Sequence, residues 1–172
     1  MRVVLDTSSL IYLTDFRNFE EMFTVNSVIE EVKDRMTKMK LSALEIKVVE
    51  PKKEIIEEIK KIAIETSDLK KLSSTDIEVL ALAKEKNCTI ISDDRNIQNV
   101  AEKIGIGYVS IFSEKIKKLI TWGNYCKNCK KYFEKEKECP ICGEKLIRFP
   151  RSSIDIVKPT PNIFLKSEYT KS

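Results

Sequence analysis

Four cysteines in the C-terminal third of the chain form two closely spaced pairs. Two residues separate the members of each pair and nine residues separate the pairs, which are Cys126, Cys129, Cys139 and Cys142. This spacing lets both sulfurs of a pair reach one tetrahedral ion at about 2.3 Å, and Gly143 suits the tight turn that follows. Two disulfide bonds are the alternative. A reducing compartment disfavours them, so we predict one structural Zn²⁺ in a closed site.

A second set of candidate ligands consists of acids at the ends of predicted elements. Asp6 follows one apolar run, Asp93 and Asp94 follow another, and Asp76 opens a helix. Since ligands bind beyond the carboxyl ends of parallel strands, we expect these acids to converge. Carboxylates that converge repel one another and need a cation, and oxygen ligands select Mg²⁺ or Mn²⁺. One or two such ions would support phosphodiester hydrolysis, although each acid alone also fits a turn or a helix cap.

Two further acids lie near the start of a predicted helix. The apolar positions of that helix have helical spacing: Val28, Ile29, Val32, Met36 and Met39. At about 100° per residue, Glu31 lies at the flank of this apolar face and Glu30 lies almost opposite it. We predict that Glu30 forms a capping box with Ser27 and that Glu31 reaches the acidic cluster.

The chain contains no histidine. This absence excludes Ser-His-Asp and Cys-His nucleophile schemes, as well as histidine bases and metal ligands. Hydrolytic chemistry in this chain must therefore use carboxylates, lysines, water and metal ions.

The elements that must position the acids alternate along the chain. Strands are predicted at 3–5, 88–92 and 108–111, and helices follow Ser27, Lys52, Asp76 and Asp94. This order predicts an α/β fold in which helices flank a parallel sheet on both faces. We place this domain at residues 1–120, a small zinc-ribbon domain at 121–150, and a basic, partly flexible tail at 151–172. Cys88 lies in a predicted buried strand and is interpreted as a core residue.

The composition indicates a globular chain. Of its 172 residues, 42% are hydrophobic and 34% are charged, which fits one domain with a small appendage. No apolar run is long enough to span a bilayer, and Asp6 ends the first apolar run too early for a signal peptide. We therefore predict a cytoplasmic protein without a membrane partner. The positive net charge of +4 lies in the C-terminal third, and this modest excess alone does not establish nucleic-acid binding.

Four segments of the chain match the acidic motifs of a nuclease family. Asp6-Thr7-Ser8-Ser9, Val28 to Asp34, Ser73 to Leu82 and Ser92-Asp93-Asp94 resemble the motifs of PIN-domain nucleases. The last segment continues as Arg95-Asn96-Ile97-Gln98-Asn99-Val100. Together with the cysteine pairs, this string resembles the Nob-one family of small-subunit ribosomal RNA endonucleases, and the short ribbon is similar to that of archaeal members. The resemblance covers residues 1 to about 148.

The resemblance implies a PIN-type fold and a metal-dependent cut in single-stranded RNA that forms the mature 3′ end of small-subunit rRNA. It implies that the partners are pre-rRNA, the precursor of the small ribosomal subunit and a KH-domain assembly factor. Carried over by motif, the catalytic residues and ligands of Mg²⁺ or Mn²⁺ are Asp6, Glu31, Asp76 and the pair Asp93 and Asp94. The resemblance does not decide which member of the pair binds the ion directly. We assign Asp94 as the ligand. Ser8 and Thr75 are expected to support the carboxylates by hydrogen bonds.

Candidate RNA contacts lie near the cysteines and after Glu31. Single-stranded RNA is held by cations on its phosphates and by aromatic rings on its bases. The cationic candidates are Arg35, Lys38, Lys127, Lys130, Lys131 and Arg148. The aromatic candidates are Trp122, Tyr125, Tyr132 and Phe133, and for these the alternative is that they form the core of the ribbon.

Two other functions remain open from the sequence. A toxin-type PIN ribonuclease would have the same acids, but such toxins are usually a bare PIN domain. A non-catalytic RNA-binding assembly module would use the acids only structurally, which the complete acidic set disfavours.

Overall fold

Five parallel strands form the sheet in the first domain of the computed structural model, which describes residues 1–112, 114–134 and 136–156. The strands are β1 (Arg2–Leu5), β2 (Glu21–Thr24), β3 (Ile46–Val48), β4 (Thr89–Ile91) and β5 (Tyr108–Val109). Their order across the sheet is β3-β2-β1-β4-β5, and every neighbouring pair is parallel. The predicted α/β fold with a parallel sheet is therefore confirmed.

Six α-helices within the described part of the chain connect and cover these strands. They are α1 (Thr7–Tyr12), α2 (Asn26–Glu31), α3 (Arg35–Ser42), α4 (Lys53–Glu65), α5 (Ser74–Lys86) and α6 (Arg95–Lys103), and a single 3-10 turn lies at Leu69–Lys71. The longest of them have 13 residues. Across the described residues, no helix combines the length and the apolar character that a membrane span requires.

The core of the domain lies between the central strands and α5. Strands β1 and β4 bury Val3, Val4, Leu5, Ile90 and Ile91 completely, because helices cover both faces of the sheet. Helix α5 contacts both of these strands and also α4 and α6, so its residues from Val79 to Ala83 are all buried. This packing fixes the N-terminus of α5, where Asp76 lies, relative to the ends of β1 and β4.

The predicted long helix after Ser27 is wrong, because two short helices replace it. Helix α2 ends at Glu31, Val32 is extended, and Asp34 starts α3 by accepting a hydrogen bond from the Thr37 N–H at 2.6 Å. Met36 and Met39 are 72% and 59% exposed, so their assignment to the apolar face is also wrong. Arg35 and Lys38 consequently lie on α3 and not on the helix that carries Glu31.

The predicted capping box of Ser27 and Glu30 is also wrong. The residue that precedes α2 is Val25, whose side chain cannot cap a helix. The Ser27 hydroxyl instead donates to Glu78 on α5 at 2.5 Å, and Glu30 accepts from the Asn26 amide at 2.6 Å. Ser27 therefore ties α2 to α5, and Glu30 is exposed as predicted.

A second, antiparallel sheet carries the cysteines. Its strands are β6 (Lys118–Cys126), β7 (Lys131–Phe133) and β8 (Ile147–Asp155), in the order β7-β6-β8. Strand β8 pairs with β6 along its whole length, so residues 151–155 of the predicted tail are part of this sheet. The rest of that tail, from residue 157 onward, lies outside the described residues.

Candidate active site and metal centre

Asp6 directly follows β1, at the edge of the parallel sheet that the carboxyl ends of its strands form. The register pairs Leu5 of β1 with Ile91 of β4, so Asp6 and Ser92 leave the sheet side by side. The Asp6 carboxylate caps α1 by accepting from the Ser9 N–H at 2.7 Å, and the Ser8 hydroxyl donates to it at 2.9 Å. Only 6% of Asp6 is exposed. Asp6 therefore lies on the buried side of this edge. Ser8 makes the hydrogen bond to the carboxylate that the motif predicts.

Glu31 joins this edge from the last position of α2. The Thr7 hydroxyl donates to Glu31 Oε2 at 2.5 Å, and Thr7 directly follows Asp6 in the chain. Glu31 is exposed, whereas Asp6 is buried. Glu31 therefore lies on the exposed side of the carboxyl end of β1, and Asp6 lies on its buried side.

Asp76 approaches from the first turn of α5, and it also caps that helix. Its Oδ2 accepts from the Ser73 N–H at 2.7 Å, while the Ser73 hydroxyl accepts from the Asp76 N–H at 3.1 Å. Thr75 beside it is buried, but among the described residues it makes no hydrogen bond to a carboxylate. Because the cap uses Oδ2 of Asp76, its other carboxylate oxygen can still serve as a metal ligand, so capping α5 and binding a cation do not exclude each other.

The adjacent acids Asp93 and Asp94 point to different partners. Asp93 Oδ1 accepts from the N–H groups of Ile111 and Phe112, both at 3.1 Å, and so fixes the loop after β5. Asp94 caps α6, where its Oδ1 accepts from Asn96 N at 2.6 Å and from Asn96 Nδ2 at 2.9 Å. The Asp94 N–H donates to the Ser92 hydroxyl at 3.1 Å. Of the two acids, Asp94 is thus the one oriented by contacts at the end of β4.

Burial and like charge raise the pKa of two of these carboxyls. Burial raises the pKa of Asp6, and hydrogen bonds from Ser92, Ser9 and Ser8 oppose this effect. Burial also raises the pKa of Asp76; the Ser73 hydrogen bonds oppose the rise, and the nearby charges of Asp94 and Glu31 add to it. The charges of Asp94 and Glu31 therefore reach Asp76, while Ser92 makes hydrogen bonds to both Asp6 and Asp94. We call Asp6, Glu31, Asp76 and Asp94 together the acidic edge.

The acidic edge has the donor chemistry of a site for a hard divalent cation. Neither Asp6 nor Asp76 has a cationic side chain among the described groups that shift its pKa. The carboxylate oxygens are spread more widely than the cysteine sulfurs, since only the cysteines form a described group with all ligand atoms within 4.8 Å of one another. Mg²⁺ keeps several of its waters when carboxylates bind it, so a wide set of oxygens fits such an ion.

The four predicted cysteines converge at the end of β6. The sulfurs of Cys126 and Cys142 lie 3.5 Å apart, those of Cys129 and Cys139 lie 3.7 Å apart, and none is in a disulfide bond. Burial acts to raise the pKa of the Cys139 thiol, but the N–H groups of Ile141 and Cys142, with the neighbouring thiols of Cys126 and Cys142, lower that pKa to about 7. Without a metal ion the neighbouring Cys142 thiol raises the pKa of Cys129, so the four thiols share their protons unequally. Since the thiolate is the form that binds metal, the four sulfurs can hold one metal ion.

The predicted RNA-contact residues fall into two groups. Arg35 and Lys38 on α3, and Lys127, Lys130 and Lys131 near the cysteines, are all exposed. Arg148 on β8 differs, because its guanidinium pairs with Asp68, whose side chain is fully buried, and lies 4.3 Å from the centre of the Trp122 ring. The Tyr125 ring stacks on Phe149 and packs at a tilt against Tyr132 in the ribbon, with ring-centre distances of 5.1 Å and 4.9 Å. These contacts favour the core interpretation for Tyr125 and Tyr132.

Sequence reasoning missed the buried polar junction between the two sheets. Asp68 accepts from the Asn99 amide at 2.6 Å, and Asn99 also binds the backbone of Ile120. Gln98, which is fully buried, donates to the Ser92 carbonyl at 3.0 Å and accepts from the Ile116 N–H at 3.3 Å. The signal in the sequence was a pair of amides, Gln98 and Asn99, flanked by the apolar residues of α6.

The parallel sheet and its acidic edge define a PIN-domain ribonuclease, and two family models agree. One, described as "PIN domain of ribonuclease", matches residues 3–85, and the other, "PINc domain ribonuclease", matches residues 71–121. "Endoribonuclease Nob1" of Pyrococcus abyssi is 37% identical over 158 residues, which cover 88% of this chain and 95% of that protein. The corresponding protein of Methanothermobacter thermautotrophicus is 34% identical, with 86% and 92% covered.

The chain belongs to the Nob1 family of archaeal endoribonucleases, as the resemblance predicted. It is an endoribonuclease of the metal-dependent PIN class. A further relative, "Ribonuclease VapC1" of Thermoplasma acidophilum, is 36% identical over 155 residues, which cover 86% of this chain and 78% of that protein. This match is longer than the first domain, so the ribbon alone does not separate the two kinds of ribonuclease.

Proposed function

We propose that this endoribonuclease cuts single-stranded RNA to form the mature 3′ end of small-subunit rRNA. The observation that carries the proposal is the acidic edge of Asp6, Glu31, Asp76 and Asp94 in a chain that aligns with archaeal Nob1 proteins over most of its length. The pre-rRNA is presented within the small-subunit precursor, and a KH-domain assembly factor is a further partner. The reaction is placed in the cytoplasm.

Four carboxylates of the acidic edge hold Mg²⁺ or Mn²⁺ in this proposal, as one or two ions. When bound, the cation supplies an acidified water and neutralises charge on the leaving oxygen. Asp6 binds the cation from the buried side of the acidic edge, where the hydrogen bonds from Ser8 and Ser9 orient its carboxylate and favour the charged form. Glu31, held by the Thr7 hydroxyl, binds from the exposed side that RNA approaches.

Asp76 and Asp94 complete the edge from two helix N-termini. Each uses one oxygen to accept hydrogen bonds at the start of its own helix, which leaves the other oxygen for the cation. The positive ends of α5 and α6 point toward the same edge and favour negative charge there, including that of a phosphate. Asp93 supports this arrangement by fixing the loop that follows β5.

The second metal centre is structural in this proposal. One Zn²⁺ bound by Cys126, Cys129, Cys139 and Cys142 fixes the turns that present Lys127, Lys130 and Lys131. These lysines, with Arg35 and Lys38 on α3, contact the phosphates of the single strand. Arg148, which the sequence also suggested for RNA, is engaged by Asp68 and Trp122.

The test is cleavage of a short RNA that spans the small-subunit 3′ junction, with Mn²⁺ present. Glu31→Gln removes one charge from the acidic edge, and Glu30→Gln removes the same charge from the neighbouring exposed position. We expect a single cut by the native chain and by Glu30→Gln, and a loss of about 100-fold or more in Glu31→Gln. Equal cleavage by the native chain and Glu31→Gln would overturn the role of the acidic edge.

A second candidate is a ribonuclease that acts on other RNA, which the match to Ribonuclease VapC1 favours. The same assay separates the two by adding an unrelated single-stranded RNA of equal length, and by repeating the reaction on small-subunit precursor particles. A cut confined to the junction, on RNA or on particles, supports rRNA maturation. Equal cutting of both RNAs with no cut on particles supports the second candidate.

A further inference from the structure

The junction between the parallel sheet and the ribbon reaches the acidic edge through three side chains. Arg148 of β8 binds the buried Asp68 carboxylate through Nη2, and its Nη1 donates to Asn96 Oδ1 at 3.4 Å. Asn96 in turn donates to Asp94 Oδ1 from its amide nitrogen at 2.9 Å and from its backbone at 2.6 Å. A continuous set of hydrogen bonds therefore links the ribbon to Asp94.

The orientation of the Asn96 amide is set by its two partners. The Asp94 carboxylate only accepts hydrogen bonds, so the amide nitrogen must face it, and a guanidinium only donates, so the amide oxygen must face Arg148. A flipped amide would place two acceptors against each other at Asp94. Arg148 therefore holds Asn96 in the one orientation that binds Asp94.

Arg148 itself is held from three directions. The Asp68 side chain is fully buried and that of Arg148 is 28% exposed, so the carboxylate of this ion pair lies away from bulk water. The Trp122 ring lies against the guanidinium, and β8 pairs Arg148 with Asn124 on the strand that ends at Cys126. The cysteine cluster, β8 and Arg148 thus belong to one connected unit.

We propose that Asn96 is a positioning residue for Asp94, and that Arg148 of the ribbon keeps Asn96 in place. In this arrangement one oxygen of Asp94 is bound by Asn96 and the other is directed to the divalent cation, so docking of the ribbon raises the cation affinity of the acidic edge. The inference rests on the proposed function in taking Asp94 as a cation ligand. It assigns the ribbon an effect on the active site that is separate from RNA contact.

The test measures Mn²⁺ binding to the full chain by titration calorimetry, so that activity is not the only readout. Asn96→Ala removes the amide but keeps the backbone bond to Asp94. Arg148→Lys keeps the charge for Asp68, but a single ammonium lacks the fork that reaches two partners. Arg151→Lys is the matched control, since Arg151 lies three residues further on β8 and pairs with Glu134 at 3.8 Å instead.

We expect Asn96→Ala and Arg148→Lys each to weaken Mn²⁺ binding about tenfold, as removal of groups behind a metal ligand commonly does. Because Arg148 acts through Asn96, the double variant should bind Mn²⁺ no more weakly than either single variant. Arg151→Lys should bind as the native chain does. Thermal melting of the metal-free variants shows whether a weakened site reflects unfolding.

Two results overturn the inference. One is unchanged Mn²⁺ affinity in Asn96→Ala, and the other is additive weakening in the double variant, which would make the two side chains independent. Glu31→Gln distinguishes this failure from failure of the proposed function. If Glu31→Gln loses Mn²⁺ binding and cleavage while Asn96→Ala loses neither, the function stands and the positioning role falls.

Discussion

The side-chain amide of Asn99 in α6 makes two hydrogen bonds to the backbone of Ile120 in β6, the pattern that a neighbouring strand makes. Its Nδ2 donates to the Ile120 carbonyl at 2.8 Å, and its Oδ1 accepts from the Ile120 N–H at 2.8 Å. The same Nδ2 donates to the buried Asp68 carboxylate at 2.6 Å. One side chain therefore satisfies three groups at the junction of the two sheets.

Replacement of Asn99 by alanine should destabilise the chain. It leaves the Ile120 N–H and one Asp68 oxygen without a partner, and an unsatisfied buried polar group makes the expected loss about 2–3 kcal/mol. Chemical denaturation measures this loss. Asn18→Ala, at an exposed position, should change the free energy of unfolding by less than about 0.5 kcal/mol, and equal values for the two variants would contradict the role given to Asn99.

The buried Asp6 should contribute less to the stability of the metal-free chain as pH rises. The pKa of Asp6 in the folded chain lies above its ordinary value of 3.8, so the folded state binds more protons than the unfolded state between these two pKa values. The contribution of Asp6 to the free energy of unfolding therefore falls as pH rises through that window and stays lower above it. Asp6→Asn removes this contribution and can still cap α1.

We accordingly expect metal-free Asp6→Asn to gain stability over the native chain at pH 7 and to lose this advantage at pH 3.5, while its cleavage activity is abolished. Urea denaturation at the two pH values measures the difference. A variant less stable than the native chain at pH 7 would show that the Asp6 hydrogen bonds outweigh its burial.

The cysteine cluster should determine zinc content, and Cys88 should not. Cys139→Ser removes one of the four ligands, whereas Cys88 is buried in the core, away from the cluster. We expect one Zn²⁺ per chain in the native protein and in Cys88→Ser, and a zinc affinity at least about 100-fold lower in Cys139→Ser. Native mass spectrometry and zinc competition give both values.

Hydrogen exchange adds a local test of the same site. In Cys139→Ser, amides of β7 and of the last residues of β6 should lose protection, because the metal fixes the turns that end these strands. Amides of β1 and β4 should stay protected, since they lie in the core of the parallel sheet. Loss of protection in both sheets would show that they unfold as one unit.

The exposed lysines of the ribbon should contribute to RNA binding through phosphate contacts. Replacing Lys127, Lys130 and Lys131 by alanine should weaken binding of single-stranded RNA at low salt. It should also flatten the dependence of log K on log salt by up to about 2, at roughly 0.7 for each lost contact. Replacing Lys52, Lys53 and Lys61 by alanine removes the same charge from the other domain and should leave that slope unchanged. Fluorescence anisotropy at several salt concentrations measures both.

Local patterns predicted the elements that carry the chemistry. The strand ends before Asp6 and Asp93, the position of Asp76 at the start of a helix, and the spacing of the cysteines are properties of a few neighbouring residues, so the sequence contains them directly. The capping box that Asp76 forms with Ser73 was not predicted. The short strands β2 and β3 were not predicted, because β2 begins at the charged Glu21 and Lys47 interrupts the apolar residues of β3. Asp34 was read as part of a helix, although with Thr37 it starts a new one.

Contacts between distant segments could not be predicted in this way. Asp68 and Arg148 are 80 positions apart, and nothing near either residue indicates its partner. The roles of Asp93 and Asp94 also depend on the loop after β5, which reaches Asp93 only in the folded chain. The sequence therefore indicated the chemistry of the acidic edge, but not the side chains that connect it to the ribbon.

The central position of β1 has a consequence for when this enzyme becomes active during its synthesis. Strand β1 is made first, yet one of its neighbours is β4, which is translated only after more than half of the described chain. Asp6 therefore cannot lie beside Ser92 and Asp94 until β4 has been made and has paired with β1, and such a long-range pairing is slow to form. The growing chain thus contains Asp6 long before it contains all four residues of the acidic edge.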